Sequence, residues 1–338
     1  MKISKRNRPS SERQLAISDL ALNTGICQVI GTSSAIRSQI DHIPGYAASD
    51  APLLICGESG TGKEVFAKSI HYSGPRAKHP FVPLNCAALP LELLENELFG
   101  HVSGAYTGAG PAQKGLIEQA EGGILFLDEI DCLVLLGQAK LLRFLQECEV
   151  RPLGAASVRR ANVRIISACN RDLPAAVRAG TFREDLYYRL SVLTLNLPPL
   201  RQMRDDISLL ATELLKRHET SSNPGVTFLP AALRKLNDYD WPGNVRQLEN
   251  IIRRSLALSN KSMIDASDLD IPVVEASSFK EQKARAIAEF ERHYLREALA
   301  RHNGNITHAA KEAGKNRRAF FALLSKYHLN SQSSARIQ

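Results

Sequence analysis

Residues 52–64 read PLLICGESGTGKE, and no other run constrains the architecture as tightly. Four apolar residues, Leu53 to Cys56, form a buried strand pattern. Gly57, Glu58, Ser59, Gly60, Thr61, Gly62 and Lys63 follow as GxxxxGK, and an amphipathic helix pattern opens at Lys63. This strand–loop–helix order is the setting in which that spacing cradles phosphate. Glycines let the backbone turn its N–H groups toward phosphate oxygens, and the helix N-terminus adds a favourable dipole. Lys63 would reach the β- and γ-phosphates. The next position usually carries the Ser or Thr that ligates magnesium, and here it is Glu64.

Around that stretch, further short apolar runs alternate with helical patterns. The runs are 80–86 (PFVPLNC), 123–128 (GILFLD), 163–170 (VRIISACN) and 192–198 (VLTLNLP); helical stretches lie at 63–72 and 138–149. Such alternation predicts an α/β unit with a mainly parallel sheet between helices. The run 123–127 ends in Asp128-Glu129, 65 residues after Lys63. Asp128 would organise magnesium, directly or through water, and Glu129 would polarise the attacking water. The pattern points to ATP hydrolysis; no NKxD-type run supports a guanine nucleotide. Asn170 ends the next strand run. It reads equally as a γ-phosphate sensor and as an ordinary turn or cap residue.

Residues 204–260 read as wholly helical, broken at Asn223-Pro224 and at Trp241-Pro242-Gly243; 265–280 read as a linker, and 281–328 as two or three helices around Asn303-Gly304-Asn305. The domains expected are a short basic arm (1–25), an α/β ATPase subdomain (26–200), a helical lid (201–265), a linker (266–280) and a small all-α DNA-binding unit (281–330). The 338 residues suffice for such a set. Net charge is +8, distributed as +3 over 1–25, −2 over 26–279 and +7 over 280–338. A near-neutral body with basic ends suits a polyanion such as nucleic acid, or a merely solvated tail. No run approaches the ~20 apolar residues of a membrane span, and the N-terminus has no secretory pattern. Six cysteines without a CxxC pair predict reduced, mostly buried thiols and a cytoplasmic location.

Several longer strings carry a resemblance: GESGTGKE (57–64), ENELFGHVSGAYTGA (95–109), GGILFLDEID (122–131), FREDLYYRL (182–190), LPPLR (197–201) and WPGNVRQLEN (241–250). Together they resemble the sigma-54-dependent transcriptional activators, the bacterial enhancer-binding proteins of the AAA+ superfamily. The resemblance spans about 26–265 and extends to about 330. In that family Glu follows the phosphate-loop lysine, so Glu64 matches. It implies ATP and Mg2+ as cofactors, and a homo-oligomeric ring, a hexamer. Gly104, Ala105, Tyr106, Thr107, Gly108 and Ala109 match the loop that touches sigma-54, with Tyr where Phe is usual. Glu97 to His101 match the segment linking that loop to the nucleotide.

Arg183 and Arg189 match arginine fingers that reach a neighbour's site; without the resemblance they read as helix-surface arginines bridging Glu184 or Asp185. Arg246 matches the family's lid arginine on the nucleotide, and Trp241 and Pro242 would shape the lid core. Asn85 matches the residue that restrains Glu129, on resemblance alone.

Residues 286–328 read as a helix-turn-helix. Ala309 and Ala310 permit close helix crossing, Gly314 suits the sharp turn, and Asn316 can cap the next helix. An oligomerisation hairpin is the competing reading. The segment resembles the Fis-type module of the same family, with Thr307, Asn316, Arg317 and Arg318 as the DNA-facing set and paired enhancer sites in double-stranded DNA as the target. Lys315, Ala319 and Ala322 depart from its pattern, and Phe320 and Phe321 are expected to pack. Only about 25 residues precede the ATPase, too few for a receiver domain, so control is expected from expression level or a trans-acting regulator. The function expected is ATP-driven remodelling of sigma-54 RNA polymerase holoenzyme. The rivals are a replication-initiator-like or loader-like AAA+ ATPase, which lacks GAYTGA, and a DNA-binding regulator with a dead ATP site, which would not need Lys63, Asp128, Glu129 and Arg189 intact.

Overall fold

The computed structural model describes residues 29–88, 91–105, 110–219, 225–258, 261–272, 287, 290, 291, 294, 295, 297–302 and 304–327. The chain divides into two units, Met1–Asp270 and Ile271–Gln338. The expected arm at 1–25 lies outside the described residues.

The first unit is built on five strands: β1 (Leu53–Cys56), β2 (Phe81–Asn85), β3 (Ile124–Asp128), β4 (Arg164–Cys169) and β5 (Leu193–Asn196). They are all parallel, in the order β2-β3-β4-β1-β5. Each coincides with one of the five apolar runs. The order explains their composition. The three inner strands, LLIC, ILFLD and RIISAC, are buried almost throughout, as parallel strands covered on both faces must be. Pro83 lies in edge strand β2, where a missing N–H costs no ladder bond on the open side.

Helices α1 (Lys63–Tyr72), α2 (Leu91–Phe99), α3 (Leu135–Glu147) and α4 (Glu184–Leu190) belong to the same α/β body. One sheet face, with Leu54, Leu125, Leu127, Ile165 and Cys169, packs into a core with Leu141, Phe144, Leu186 and Leu190 from α3 and α4.

A helical lid follows: α5 (Arg204–Arg217), α6 (Pro230–Asp238) and α7 (Asn244–Leu258). The break at 241–243 falls between α6 and α7, whereas Asn223-Pro224 lies outside the described residues. The lid is not wholly helical: Thr227–Phe228 pairs in parallel with Met263–Ile264. Trp241 is fully buried and donates its indole N–H to the Leu236 carbonyl at 2.8 Å, while Pro242 is exposed. Residues read as the start of a linker are instead held on the lid. Lys235 Nζ donates to the Ala266 and Leu269 carbonyls, both at 2.8 Å, and Leu269 is buried.

The second unit contains α8 (Ile306–Glu312) and α9 (Arg317–Lys326), preceded by helical residues between 287 and 301. Ala309, Ala310, Phe320 and Leu324 pack with Leu295, Ala298 and Leu299.

Candidate nucleotide site and DNA-facing helix

Because all five strands run the same way, their carboxyl ends open on one edge of the sheet, where α/β proteins place their ligands. β1 delivers Gly57, β3 delivers Asp128 and Glu129, β4 delivers Asn170, and β2 delivers Asn85 beside Asp128 in register.

The phosphate loop needs two left-handed glycines, Gly60 at φ +80° and Gly62 at φ +92°. A Cβ on Gly60 would also collide with the Gly243 carbonyl, and Gly62 caps the start of α1 with open space around its Cα. Lys63, the first residue of α1, is 7% exposed. Its ammonium donates to the Gly57 carbonyl at 2.9 Å, to the Glu58 carbonyl at 3.1 Å, and to Asn170 Oδ1. Burial pushes its pKa down, and the charges of Asp128, Asp131 and Glu129 work against that shift. Thr61 Oγ1 closes the loop by donating to the Glu58 carbonyl at 2.8 Å.

Asn170 is the hub. It takes a proton donor from Lys63 on Oδ1 and gives one from Nδ2 to Glu129 Oε1 at 3.2 Å. Its own N–H donates to Asp131 at 3.3 Å. Its side chain thus lies between Lys63 and Glu129, and among the described residues no bond of it caps a turn or helix. Glu129 sits at φ +53°, a sparsely populated conformation for a side-chain-bearing residue. Its N–H donates to Asp128 Oδ1 at 2.9 Å. Burial raises the Asp128 pKa, against the pull of the Glu129 N–H and of Lys63.

Asn85 behaves differently from the reading made on resemblance. Its Oδ1 accepts from the Ala87 N–H at 2.8 Å, a local turn bond, and Asn170 is the side chain on Glu129. A contact two residues away along the chain costs little ordering entropy.

The residues fit a nucleotide with a divalent cation. The open left-handed Gly62 and the buried Lys63 make a cradle for phosphate. Among the described residues, no group of three or more His, Cys, Asp or Glu side chains could hold a metal alone. One half-buried carboxylate, Asp128, is what Mg2+ asks of a protein when phosphates and water supply its other ligands.

The lid is fastened to this loop by residues that sequence reasoning did not single out. Arg201 forms a two-pronged ion pair with Glu58, at 2.8 and 2.6 Å. That pairing is the main reason the Glu58 pKa is held down; burial opposes it and Asn244 assists. Asn244 is fully buried at φ +52°. Its amide donates to the Ser59 carbonyl at 3.0 Å and to Glu58 at 3.2 Å, and its Oδ1 accepts from the Leu200 N–H at 2.8 Å. The Arg246 N–H donates to the Gly60 carbonyl at 3.3 Å, while its side chain is exposed beside the loop. An Asn directly after Pro-Gly was the available signal, since Asn tolerates the left-handed region better than most residues. The clasp at Asp206 left no such signal: this fully buried carboxylate of α5 accepts from the Thr32 N–H (2.6 Å), Thr32 Oγ1 (2.9 Å) and the Ser33 N–H (3.0 Å).

Glu64 pairs with Lys68 at 2.7 Å along α1. Arg183 and Arg189 bond elsewhere. The Arg183 guanidinium pairs with Asp185 at 2.7 Å, and its N–H donates to buried Gln138 at 2.8 Å. Arg189 donates to the Leu145 carbonyl at 2.9 and 3.2 Å. Of the 104–109 loop expected to touch sigma-54, Tyr106, Thr107, Gly108 and Ala109 lie outside the described residues. Its described start is seated: Gly104 takes φ +76°, the Ala105 N–H donates to the Val102 carbonyl at 3.1 Å, and the Val102 N–H donates to that of Leu153.

In the second unit, Asn305 accepts from the N–H groups of Thr307 and His308 at 3.1 and 3.3 Å, capping α8. Asn316 accepts from the Ala319 N–H at 2.8 Å and so caps α9, which occupies the side chain assigned to DNA. Gly314 makes the turn at φ +61°. Thr307, Arg317 and Arg318 are exposed, the two arginines at the first turn of α9. Phe320 is fully buried as expected, but Phe321 is 57% exposed. A residue one position on from a core residue is turned about 100° around the helix, off its core face. Among the described residues no helix is long and apolar enough to cross a membrane.

Comparison with known proteins agrees with this geometry. Residues 29–196 match the Sigma-54 interaction domain, 201–286 the AAA+ ATPase lid domain, and 286–327 the Bacterial regulatory protein, Fis family. The Transcriptional regulatory protein GlrR of Escherichia coli K12 is 48% identical over 286 residues, covering 84% of this chain and 64% of GlrR, so the chain spans less than two thirds of that relative. The Regulatory protein AtoC of the same organism is 44% identical, covering 89% of this chain and 68% of AtoC. Among solved structures, NtrX from Brucella abortus in complex with ADP superposes with a TM-score of 0.68 at 33% identity, covering 94% of this chain and 73% of NtrX. The chain belongs to the family of transcriptional regulators that carry a sigma-54 interaction domain, an AAA+ lid and a Fis-type helix-turn-helix.

Proposed function

We propose that this chain is an ATP-driven activator of sigma-54 RNA polymerase holoenzyme that binds upstream double-stranded DNA through 286–327 and works in the cytoplasm as a homo-hexameric ring. One observation carries the reading: Lys63, Asn170 and Glu129 form a single hydrogen-bonded chain at the carboxyl end of the sheet, with Asp128 beside it and the lid fastened over the loop. Bound ATP supplies the phosphoanhydride bond and its Mg2+ neutralises charge on the phosphate oxygens.

Lys63 would leave the Gly57 and Glu58 carbonyls for the phosphates. That exchange frees Asn170 Oδ1, so the nucleotide state reaches Glu129 through one side chain. Glu129 would then orient and deprotonate the attacking water, and Asp128 would hold the cation. Arg246 would approach from the lid. Arg183 and Arg189, whose bonds within the chain are to Asp185 and Leu145, would serve a neighbour's site, where a guanidinium stabilises charge on the transferred group. The 104–109 loop would carry the change to sigma-54.

Promoter opening by purified sigma-54 polymerase, ATP and this chain tests the reading. Thr107→Ala should keep ATP turnover and lose opening; Lys63→Ala should lose both. Normal opening by the Thr107 variant, or turnover with no sigma-54 engagement under a transition-state analogue, would favour an AAA+ ATPase of another class.

A further inference from the structure

Five cysteines lie among the described residues: Cys86 and Cys169 are buried, Cys56 is half-buried, and Cys132 and Cys148 are exposed. Two of them meet. Cys56 ends β1 and Cys169 ends β4, and the two strands are adjacent, parallel and in register at this pair. In-register neighbours on parallel strands point to the same face, and the Cys169 thiol donates to Cys56 Sγ at 3.3 Å. Adjacent strands lie about 4.8 Å apart, inside the Cα separation of about 4.4–6.8 Å that a disulfide spans. The position is pointed. Cys56 precedes Gly57, the first residue of the phosphate loop, and Cys169 precedes Asn170, the hub between Lys63 and Glu129. The Gly57 N–H itself donates to the Cys169 carbonyl at 3.3 Å.

We infer that Cys56 and Cys169 are a reversible modification site, a thiol pair that a peroxide-class oxidant closes into a disulfide and thereby turns off nucleotide turnover. Cys56 is the entry point because it is the more exposed of the two. The thiol hydrogen bond from Cys169, helped by nearby Lys63, lowers its pKa against the effect of burial, and the thiolate is the nucleophile. Its sulfur attacks one peroxide oxygen, the O–O bond breaks, and the departing hydroxide becomes water by taking a proton. The Cys169 sulfur then attacks the resulting sulfenic acid, the S–O bond breaks, and the Cys169 proton leaves with the second water. Two thiols lose two electrons in total and one peroxide gains them. A thiol reductant reverses the step by exchange. In reducing compartments such bonds are transient and regulatory.

Closing the sulfurs from 3.3 Å to about 2.0 Å is shared between rotation of the two side chains and the positions of the adjoining Gly57 and Asn170. A misplacement on the order of 1 Å at reacting groups costs up to about 100-fold in rate, so turnover should fall by up to about 100-fold. The turnover arm rests on the ATPase reading above; the chemical arm does not.

The full chain is treated with hydrogen peroxide, its remaining thiols are alkylated, and it is mapped without reduction. The expected result is a linked peptide joining Cys56 and Cys169, a loss of two hydrogens, and turnover that falls and returns with dithiothreitol. Cys56→Ala and Cys169→Ala should each keep their own turnover through the same treatment. Oxidation confined to Cys132 and Cys148 would overturn the proposal. So would a linked peptide with unchanged turnover, or variants as peroxide-sensitive as the unsubstituted chain.

Discussion

Asn244→Ala tests whether the lid and the phosphate loop are one mechanical piece. The side chain is fully buried and serves three partners: the Leu200 N–H, the Ser59 carbonyl and the Glu58 carboxylate. Their costs differ. Leu200 is itself fully buried, so its N–H would be stranded, at about 1–3 kcal/mol. Ser59 and Glu58 reach solvent and can turn to water, so little is added there. Alanine must also hold φ +52°, which costs about 1 kcal/mol more than asparagine does. The sum is about 2–4 kcal/mol. For a body of this size that corresponds to a fall in Tm of roughly 4–16 °C.

Asn244→Gly separates the two contributions, because it relieves the backbone and still strands Leu200. Asn244→Asp keeps the acceptor for Leu200 but sets a second carboxylate against Glu58. The assay is calorimetry of the full chain with and without ATP, alongside nucleotide binding. The alanine variant should melt early and bind nucleotide more weakly, with glycine intermediate. An alanine variant that melts within 1 °C of the unsubstituted chain would show that the Leu200 N–H finds another acceptor, and the reasoning fails.

Lys63→Ala should weaken nucleotide binding about 10- to 100-fold, the worth of one or two charge-assisted hydrogen bonds, as read by equilibrium titration. Glu129→Gln should bind nucleotide nearly as the unsubstituted chain does and lose about 10²- to 10⁴-fold in turnover; retained turnover would remove Glu129 as the base. Asp206 gives a signed pH effect. Burial would raise its pKa, but the hydrogen bonds from Ser33 and Thr32 outweigh burial and hold it below the usual carboxylate value of 3.8. A depressed folded pKa contributes stability that is complete above the unfolded value and lost as pH falls through the folded one. Asp206→Asn should therefore lower Tm at neutral pH and flatten the acid side of the Tm–pH curve. Arg317→Ala should weaken DNA binding and reduce the salt slope by about 1 if the contact is to phosphate, read from filter binding at several salt concentrations.

The strands, the phosphate loop and the Asp128–Glu129 pair were legible because each is a local pattern. Apolar runs four to six residues long, a glycine spacing and a terminal carboxylate pair need no knowledge of what lies across the molecule. The parallel sheet followed from their alternation with helices. The partner of Glu129 was not legible, because Asn85 and Asn170 both end strands and only the side-chain geometry distinguishes a local turn bond from one across the sheet. The lid latch was hidden for the same reason: Glu58, Arg201 and Asn244 are up to 186 residues apart, and ordinary residue types carry no mark of such a meeting. Cys56 and Cys169 show the division most plainly. Counting cysteines predicted free, mostly buried thiols; the five among the described residues are free, but only Cys86 and Cys169 are buried. That two of them touch beside the phosphate loop is decided by strand order and register, which long-range packing fixes and no local pattern encodes.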